Sequence, residues 1–375
     1  MKRASSFCSA ARSKPMTLHQ TTAGLDGVTA AMTALSHVDG EGGELIIAGS
    51  RVAQLAAETD FEGAAARLLS AAGKETAAGE LRAELGEARV RAFARLEKIL
   101  PATESLALGA GFRAAIAAID REDGLDDEVA LLGAMPVLAA ALARSAEGLA
   151  PVAPDASLGQ AADMLRMMRG TAASDAEAAA LDAYLVTVSD HGMNASTFAA
   201  RVVASTQADL FMAVTAGYCA LSGPLHGGAP APVLDMLEAI GKADNIAPWI
   251  DAALARGERL MGFGHRIYKV RDPRADVLKR SVGTLGSEGM DLGLAAEVEG
   301  YAREALARAK PGRRLDTNVE FYTAILLGAL KIPREAFTPV FAVGRTAGWV
   351  AHALEQQRTG RLLRPASVYT GPMPA

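Results

Sequence analysis

The sequence predicts an all-α fold with at most a short β-hairpin near the N-terminus. Alanine and leucine dominate most of the chain, and polar residues recur among them at helical spacing. Strand signals are confined to residues 44–48 (ELIIA), which follow the turn-rich residues 39–43. The partner strand of this hairpin is either residues 36–38 or residues 51–52. Strands do not alternate with helices along the chain, so a parallel α/β sheet is disfavoured.

Several helices are predicted with definite limits. Residues 79–98 form an amphipathic helix rich in Glu/Arg pairs, and residues 195–219 form one helix whose small side chains allow close helix packing. Five more helices are predicted at residues 231–241, 247–256, 292–309, 318–331 and 337–358. The sequence Lys310-Pro311-Gly312 ends the helix over residues 292–309.

The longest apolar run covers residues 129–143 and contains Pro136. It is shorter than the ~18 residues that a membrane-spanning helix needs. We therefore expect a buried core helix with a kink or a break near the proline, and no membrane partner.

Composition places the chain among soluble globular proteins, with 50% hydrophobic and 22% charged residues and a formal charge of −5. The acidic balance argues against a nucleic-acid partner. The two cysteines, Cys8 and Cys219, are too few for a disulfide framework, and Cys219 is expected to be a small core residue. Residues 1–15 are basic and lack the apolar stretch of a secretory signal, so residues 1–16 are expected to be a disordered tail of a cytoplasmic protein.

Three histidines lie in glycine-rich surroundings that are unusual for structural sites. They are His191 in SDHGMN, His226 in GPLHGGA and His265 in GFGHRIY. Glycine lets backbone and ligand approach closely at a cost in chain entropy, so such histidines are candidates for catalysis. None of them has the i, i+4 spacing of a helical metal motif, and no close cysteine or carboxylate supports one. No metal site is expected.

Charged residues near these histidines have two interpretations each. The basic stretch with Lys269, Arg271 and Arg274 is either a solvated face or an anion site. Arg345 interrupts an apolar run, so it should be buried and paired with an anion. Glu320, beside aromatic residues at a helix start, either compensates the helix dipole or acts as a general base in an apolar pocket.

These segments together resemble the citrate synthase family. The similarity is in order along the chain and covers nearly all of residues 24–372. The segments that carry it most clearly are SDHGMNASTFAARVVAST (189–206), GPLHGGA (223–229), GFGHRIYKVRDPRA (262–275), NVEFYTAILLGALKIP (318–333), FAVGRTAGWVAHALEQ (341–356) and RPASVYTGP (364–372).

The resemblance implies a helical fold of two domains. The large domain would comprise residues 17–228 and 331–375, and the small domain residues 229–330. The active site would lie in a cleft that closes when the domains rotate together. The family forms homodimers or larger homo-oligomers, and Arg364 would reach into the partner's site.

The resemblance also implies a role for each candidate residue. Glu320 would take a proton from the methyl group of acetyl-CoA, His226 would stabilise the enol, and His265 would polarise the ketone of oxaloacetate. Four residues would hold the oxaloacetate carboxylates, namely His191, Arg274, Arg345 and Arg364. Lys269 and Arg271 are weaker candidates for binding the phosphates of CoA. Acetyl-CoA would be a co-substrate, and no separate cofactor is implied.

Two departures from the family pattern keep alternatives open. Glu320 stands where the family usually has aspartate, and Pro230 where it usually has asparagine. One alternative is a 2-methylcitrate synthase that uses propionyl-CoA, because one extra methyl group changes discrimination by only ~1–3 kcal/mol. The other is a catalytically weak paralogue that binds oxaloacetate or CoA as a sensor.

Overall fold

Helices make up most of the computed structural model of this protein, which describes residues 25, 27–227, 231–265, 267–285 and 292–374. The predicted tail over residues 1–16 lies outside the described residues, as do Cys8, Pro230 and the predicted boundary between residues 228 and 229. The described residues up to Met32 belong to one unit, in which Val28 N donates to Leu25 O at 3.0 Å. Thr33–Ala375 form a second unit, which contains every element described below.

The described part of the chain contains fifteen α-helices. They are α1 (Val52–Glu58), α2 (Phe61–Ala71), α3 (Ala78–Ile99), α4 (Leu108–Ala117), α5 (Asp127–Ala146), α6 (Gln160–Arg169), α7 (Asp175–Val188), α8 (Ala195–Ala204), α9 (Leu210–Leu221), α10 (Ala231–Ile240), α11 (Ile246–Ala255), α12 (Pro273–Thr284), α13 (Leu292–Ala309), α14 (Val319–Ala329) and α15 (Phe337–Thr359). The helices predicted outside residues 195–219 correspond to α3, α10, α11, α13, α14 and α15. The predicted all-α class is confirmed, whereas the division into a large and a small domain stays a prediction.

The N-terminal hairpin is part of a three-stranded antiparallel sheet. Its strands are β1 (Ser36–Asp39), β2 (Glu44–Ile47) and β3 (Ser50–Arg51), with β2 in the middle. Ser36 pairs with Ile47 on one side of β2, and Ile47 pairs with Ser50 on the other. Both candidate partner strands therefore contribute, the second one residue earlier than expected.

Helix α5 continues through Pro136, so the break that was one of the two outcomes expected near this proline does not occur. Proline has no N–H, so the carbonyl of Leu132 one turn earlier loses its helical donor. The side-chain amide of Gln160 takes that place and donates to Leu132 O at 2.8 Å.

By length and composition α5 could cross a membrane, but 83% of its most apolar window is buried against the rest of the protein. A core helix passes the same test.

The predicted helix over residues 195–219 is wrong in its continuity, because α8 and α9 are separate. Gln207 adopts a left-handed backbone conformation with φ of 65°, which an α-helix does not contain. Asp209 then caps α9 by accepting a hydrogen bond from Met212 N at 2.9 Å. Cys219 is also not in the core, since it is exposed on α9.

Helix α15 is almost wholly buried and packs against α2, α5, α7, α8 and α9. Its glycines permit this close approach. A Cβ at Gly348 would overlap the carbonyl oxygen of Ser189, which instead accepts a hydrogen bond from Gly348 N at 3.0 Å. The helix therefore sets the position of the chain just before His191.

Candidate active site

The loop that carries His265 is fixed against the start of α14. Gly262 and Gly264 both have positive φ values, of 84° and 80°, which glycine adopts without strain. Asn318 N donates to Gly262 O at 3.0 Å, and its side-chain amide donates to Gly264 O at 2.9 Å. Because Asn318 is also the N-cap of α14, this loop brings His265 close to the helix that begins beside Glu320.

The hydrogen bonds of His265 determine which ring nitrogen carries its proton. Its Nδ1 accepts from the backbone N–H groups of Ile267 at 3.0 Å and Tyr268 at 3.1 Å. Burial, together with the positive charge of Arg274, lowers the pKa of His265 to about 4. At neutral pH the imidazole is therefore uncharged, with its single proton on Nε2.

Arg274 is buried and held by the carboxylate of Asp272. Asp272 caps α12 through Arg274 N at 3.0 Å and also accepts from the guanidinium Nε at 3.0 Å and Nη2 at 2.8 Å. This pairing raises the pKa of Arg274 even though burial opposes its charge. Arg274 Nη2 lies 3.4 Å from His265 Nε2. Both atoms carry donor hydrogens, so an acceptor is needed to satisfy them together.

His191 lies beside this pair. Its ring centroid is 5.7 Å from that of His265, and its Nε2 is 3.1 Å from the hydroxyl of Tyr268. Burial lowers the pKa of His191 well below its ordinary value, and the charges of Arg274 and Arg345 act in the same direction. His191 is therefore neutral, like His265.

Arg345 is buried on α15, as the apolar sequence around it predicts. Its Nε donates to Val188 O at 2.6 Å, and its guanidinium lies 4.8 Å from the centre of the Phe341 ring. Its Nη2 has no hydrogen-bond partner among the described residues. Burial lowers the pKa of Arg345 to about 10, so the group stays charged at neutral pH. A buried guanidinium with an unused donor is suited to binding an anion.

The third histidine, His226, binds a serine that the sequence did not single out. His226 Nε2 lies 2.9 Å from Ser196 Oγ, which also accepts from the indole Nε1 of Trp349 at 3.2 Å. The same hydroxyl donates to the side-chain oxygen of Asn194 at 2.7 Å. Burial lowers the pKa of His226 to about 4, helped by the charges of Arg345 and Arg274. All three histidines are thus neutral at pH 7.

Glu320 combines the properties expected of a general base. It is the second residue of α14, and its backbone N–H is capped by Asn318 Oδ1 at 3.0 Å. Burial raises the pKa of Glu320 to about 7, against the opposing influence of Arg274. The charge of Arg274 also acts on the pKa values of His191, His226 and His265. It therefore links the candidate groups into one electrostatic cluster.

Three predicted residues lie outside this cluster. Arg364 is exposed on the C-terminal segment, and no described residue forms a hydrogen bond or ion pair with it. Lys269 is exposed, with its backbone N–H donating to Gly40 O at 2.8 Å. Arg271 pairs with three carboxylates, those of Asp276, Glu299 and Asp316, which leaves its guanidinium less suited to a phosphate than Lys269. Within the described ranges, no group of three or more potential ligands could hold a metal ion.

Comparison with known proteins identifies the family of this chain. The family model described as "Citrate synthase, C-terminal domain" matches residues 24–366. The chain belongs to the citrate synthase family. Citrate synthase from Haloferax volcanii is 37% identical over 370 residues, which cover 93% of this chain and 95% of that protein.

Solved citrate synthase structures share the fold. The Thermotoga maritima enzyme aligns with a TM-score of 0.81 at 30% identity, covering 94% of this chain and 96% of its own. The Thermoplasma acidophilum enzyme, solved as a ternary complex with carboxymethyl coenzyme A and oxaloacetate, aligns with a TM-score of 0.81 at 27% identity. That alignment covers 93% of this chain and 96% of the other. The resemblance to the citrate synthase family is thereby confirmed.

Some residues of this candidate site were not identified from the sequence. Tyr268 contacts His191 and His265, Ser196 contacts His226, and Trp349 reaches His226 only through Ser196. None of the three has a local pattern that distinguishes it from a structural residue. Asn194, which binds the Ser196 hydroxyl, is the N-cap residue of α8. Tyr268 had the clearest available signal, since it is an aromatic residue in the glycine–histidine–basic segment.

Proposed function

We propose that this protein condenses acetyl-CoA with oxaloacetate and hydrolyses the resulting citryl thioester to citrate and CoA. The observation that carries the proposal is the convergence of His265 Nε2 and Arg274 Nη2, 3.4 Å apart, beside the buried guanidinium of Arg345. A ketone oxygen next to a carboxylate would supply acceptors to both donors, and a second carboxylate would pair with Arg345. Oxaloacetate has this arrangement of groups.

The first step is removal of a proton from the methyl group of acetyl-CoA by the Glu320 carboxylate. A carboxyl group with a pKa of about 7 is a stronger base than an exposed glutamate and is still largely ionised at slightly alkaline pH. The enol oxygen that forms needs a hydrogen-bond donor. Because His226 is neutral, its ring N–H can donate this hydrogen bond without placing a positive charge in the site.

Ser196 sets the tautomer of His226 that this step requires. The Ser196 hydroxyl donates to Asn194 Oδ1 at 2.7 Å in the structure, and the same oxygen accepts from the backbone N–H groups of Ser196 and Thr197, both at 3.0 Å. For the reaction, the hydroxyl would turn to donate to His226 Nε2, 2.9 Å away, while Asn194 Oδ1 keeps its two backbone donors and Trp349 donates to the hydroxyl oxygen. In this tautomer Nδ1–H of His226 is the donor that faces the enol.

Carbon–carbon bond formation follows. The enol carbon attacks the ketone carbon of oxaloacetate, and His265 Nε2–H stabilises the negative charge that develops on the ketone oxygen. This oxygen takes a proton from solvent and becomes the citryl hydroxyl, while Glu320 returns the methyl proton to solvent. Water then attacks the thioester carbon, the C–S bond breaks, and CoA leaves as the thiol. No step uses a prosthetic group.

A homodimer completes the proposed site through Arg364. In support, α9 exposes Met212 and Cys219, and the C-terminal segment exposes the apolar side chains of Val368 and Tyr369. Apolar surface of this kind typically marks an interface, here with a second copy of the chain. Arg364→Ala should raise the KM for oxaloacetate, and dilution that dissociates the dimer should have the same effect on the unsubstituted protein.

The proposed reaction is tested by measuring thiol release from acetyl-CoA with and without oxaloacetate. Oxaloacetate-dependent release, with citrate as product, is the expected result. Faster release from propionyl-CoA would instead identify a 2-methylcitrate synthase. Binding of oxaloacetate without thiol release from either thioester would identify a sensor and contradict the proposal.

A further inference from the structure

A network of buried polar side chains begins at the residue before His191 and takes no part in the proposed reaction. It runs from Asp190 through His352 and Arg201 to Glu355. None of these residues exposes more than 4% of its surface. Burying charges is costly unless each group is paired, so the hydrogen bonds within this network indicate what each side chain does.

This network determines which ring nitrogen of His352 carries its proton. Arg201 Nη1 lies 2.8 Å from His352 Nδ1 and 2.7 Å from Glu355 Oε2. Arginine only donates, so Nδ1 of His352 must accept and the ring proton must be on Nε2. That nitrogen lies 3.2 Å from Asp190 Oδ2 and donates to it. The Glu355 carboxylate balances the charge of Arg201, and His352 donates one hydrogen bond to Asp190.

Three residues on one face of α15 bind three successive residues before His191. Arg345 Nε donates to Val188 O at 2.6 Å, and Gly348 N donates to Ser189 O at 3.0 Å. His352 completes the series by donating to the Asp190 carboxylate at 3.2 Å. The spacing of i, i+3 and i+7 places all three on the same side of the helix. Helix α15 thus fixes the chain up to the residue that precedes His191.

Asp190 also acts on Arg345. Burial opposes ionisation of the Asp190 carboxyl, but the hydrogen bond from His352 and the positive charge of Arg345 favour it, and the pKa of Asp190 is lowered overall. The resulting negative charge favours the protonated form of Arg345, which burial disfavours. The Asp190 carboxylate therefore supports both the location of His191 and the charge of Arg345.

From this arrangement we propose that His352 is a positioning residue for the dicarboxylate end of the site. It touches neither substrate nor reacting atoms, and it acts by holding Asp190 ionised and oriented. This inference rests on the proposed function, because it assigns His352 to the binding of the same oxaloacetate. It predicts that loss of His352 weakens the binding of oxaloacetate and leaves the binding of acetyl-CoA unchanged.

The experiment compares His352→Leu with His352→Gln. Leucine removes the donor at similar volume, whereas the glutamine amide restores a donor toward Asp190. His352→Leu should raise the KM for oxaloacetate about tenfold or more, with the KM for acetyl-CoA and kcat changed by less than about threefold. His352→Gln should recover most of the loss. Thr346→Val is the matched control, because it removes a buried hydroxyl on α15 that bonds only Ala342 O.

Each outcome has a definite meaning. An unchanged KM for oxaloacetate in His352→Leu, or an equal loss in both His352 variants, contradicts the positioning role while the proposed reaction stands. If His352→Leu does not fold, Asp190→Asn replaces it, and an unchanged oxaloacetate KM in that variant also overturns the inference. If the unsubstituted protein neither binds oxaloacetate by calorimetry nor releases thiol, the proposed function fails and the inference fails with it.

Discussion

Nε2 of His265 and Nη2 of Arg274 lie 3.4 Å apart, and both nitrogens are hydrogen-bond donors. Two backbone N–H groups on His265 Nδ1 and the Asp272 carboxylate on Arg274 hold them in this arrangement. Because both nitrogens donate, the pair matches a ligand that offers two neighbouring acceptors, as the ketone and carboxylate oxygens of an α-keto acid do.

Oxaloacetate should therefore stabilise the folded protein. At 100 times its Kd, a ligand that binds only the folded state adds about 2.7 kcal/mol to the free energy of unfolding. Differential scanning fluorimetry should show a clear rise in Tm with oxaloacetate and a smaller one with pyruvate, which has only one carboxylate for Arg274 and Arg345 to share. Arg274→Lys retains the positive charge beside Asp272 but loses the guanidinium donor, and it should reduce the shift. An equal shift in both proteins would contradict this role of Arg274.

The raised pKa of Glu320 gives a pH dependence with a definite sign. The base must be ionised to accept a proton, and burial raises its pKa to about 7. Below that value, kcat/KM should therefore fall about tenfold per pH unit, and it should level off above it. The histidines, with pKa values of about 4 for His226 and His265, stay neutral throughout this range. Thiol release measured between pH 5.5 and 9 tests this profile, and a rate independent of pH would exclude Glu320 as the titrating base.

Substitution at Glu320 separates its chemistry from binding. Glu320→Gln should reduce kcat by ~100-fold or more, because general-base catalysis contributes on that scale, while calorimetric binding of oxaloacetate remains near that of the unsubstituted protein. Glu320→Asp introduces the residue usual in the family and should retain measurable turnover. Glu335→Gln, at an exposed position before α15, is the matched control and should leave kcat unchanged. Loss of oxaloacetate binding in Glu320→Gln would point to a structural role.

The sequence was sufficient to predict features that depend on local pattern. Glycines around His265 and the apolar run around Arg345 indicated a loop near a ligand and a buried cation. Contacts between distant segments had no such signal. Ser196 meets His226 across 30 positions, and Asp190 meets His352 across 162. The compensation of Pro136 by Gln160 is also a tertiary contact, so the sequence of α5 alone predicted a kink or break.

The misassigned position of Cys219 has a different cause. An apolar helix such as α9 has no polar face from which its exposed side could be identified, so burial on all sides was the natural expectation. Asp209 could have marked the start of α9, because aspartate is a preferred N-cap residue. The left-handed conformation at Gln207 had no comparable signal, since glycine or asparagine is usual there.

Ser196 should affect catalysis through His226. Ser196→Ala removes the hydroxyl that binds His226 Nε2 and leaves the indole N–H of Trp349 without its acceptor. We expect kcat to fall by ~10-fold or more while the KM for oxaloacetate changes little, because the carboxylate-binding groups are untouched. Thr206→Ala, at an exposed hydroxyl just beyond α8, serves as the control. A rise in the KM for oxaloacetate with kcat unchanged would contradict the assignment.

The turn between β1 and β2 supports the loop that follows His265. Gly40 O accepts from Lys269 N at 2.8 Å, and a Cβ at Gly40 would lie 2.5 Å from Ile267 O. The backbone N–H of Ile267 is one of the two donors to His265 Nδ1. Gly40→Ala should therefore displace the 267–269 loop, weaken this hydrogen bond and lower kcat/KM by ~10-fold or more. The effect should come without general unfolding, since Gly40 does not have the positive φ that makes alanine strained.

Gly79→Ala is the matched control, because Gly79 lies in α3 with no atom within 4 Å of the added methyl group. There alanine should raise Tm slightly and leave turnover unchanged, since it favours the helix more than glycine does. Steady-state kinetics and thermal melts of both variants distinguish the two effects. If Gly40→Ala retained full kcat/KM, the sheet would have no part in holding His265, and the tautomer of that residue would depend on its own loop alone.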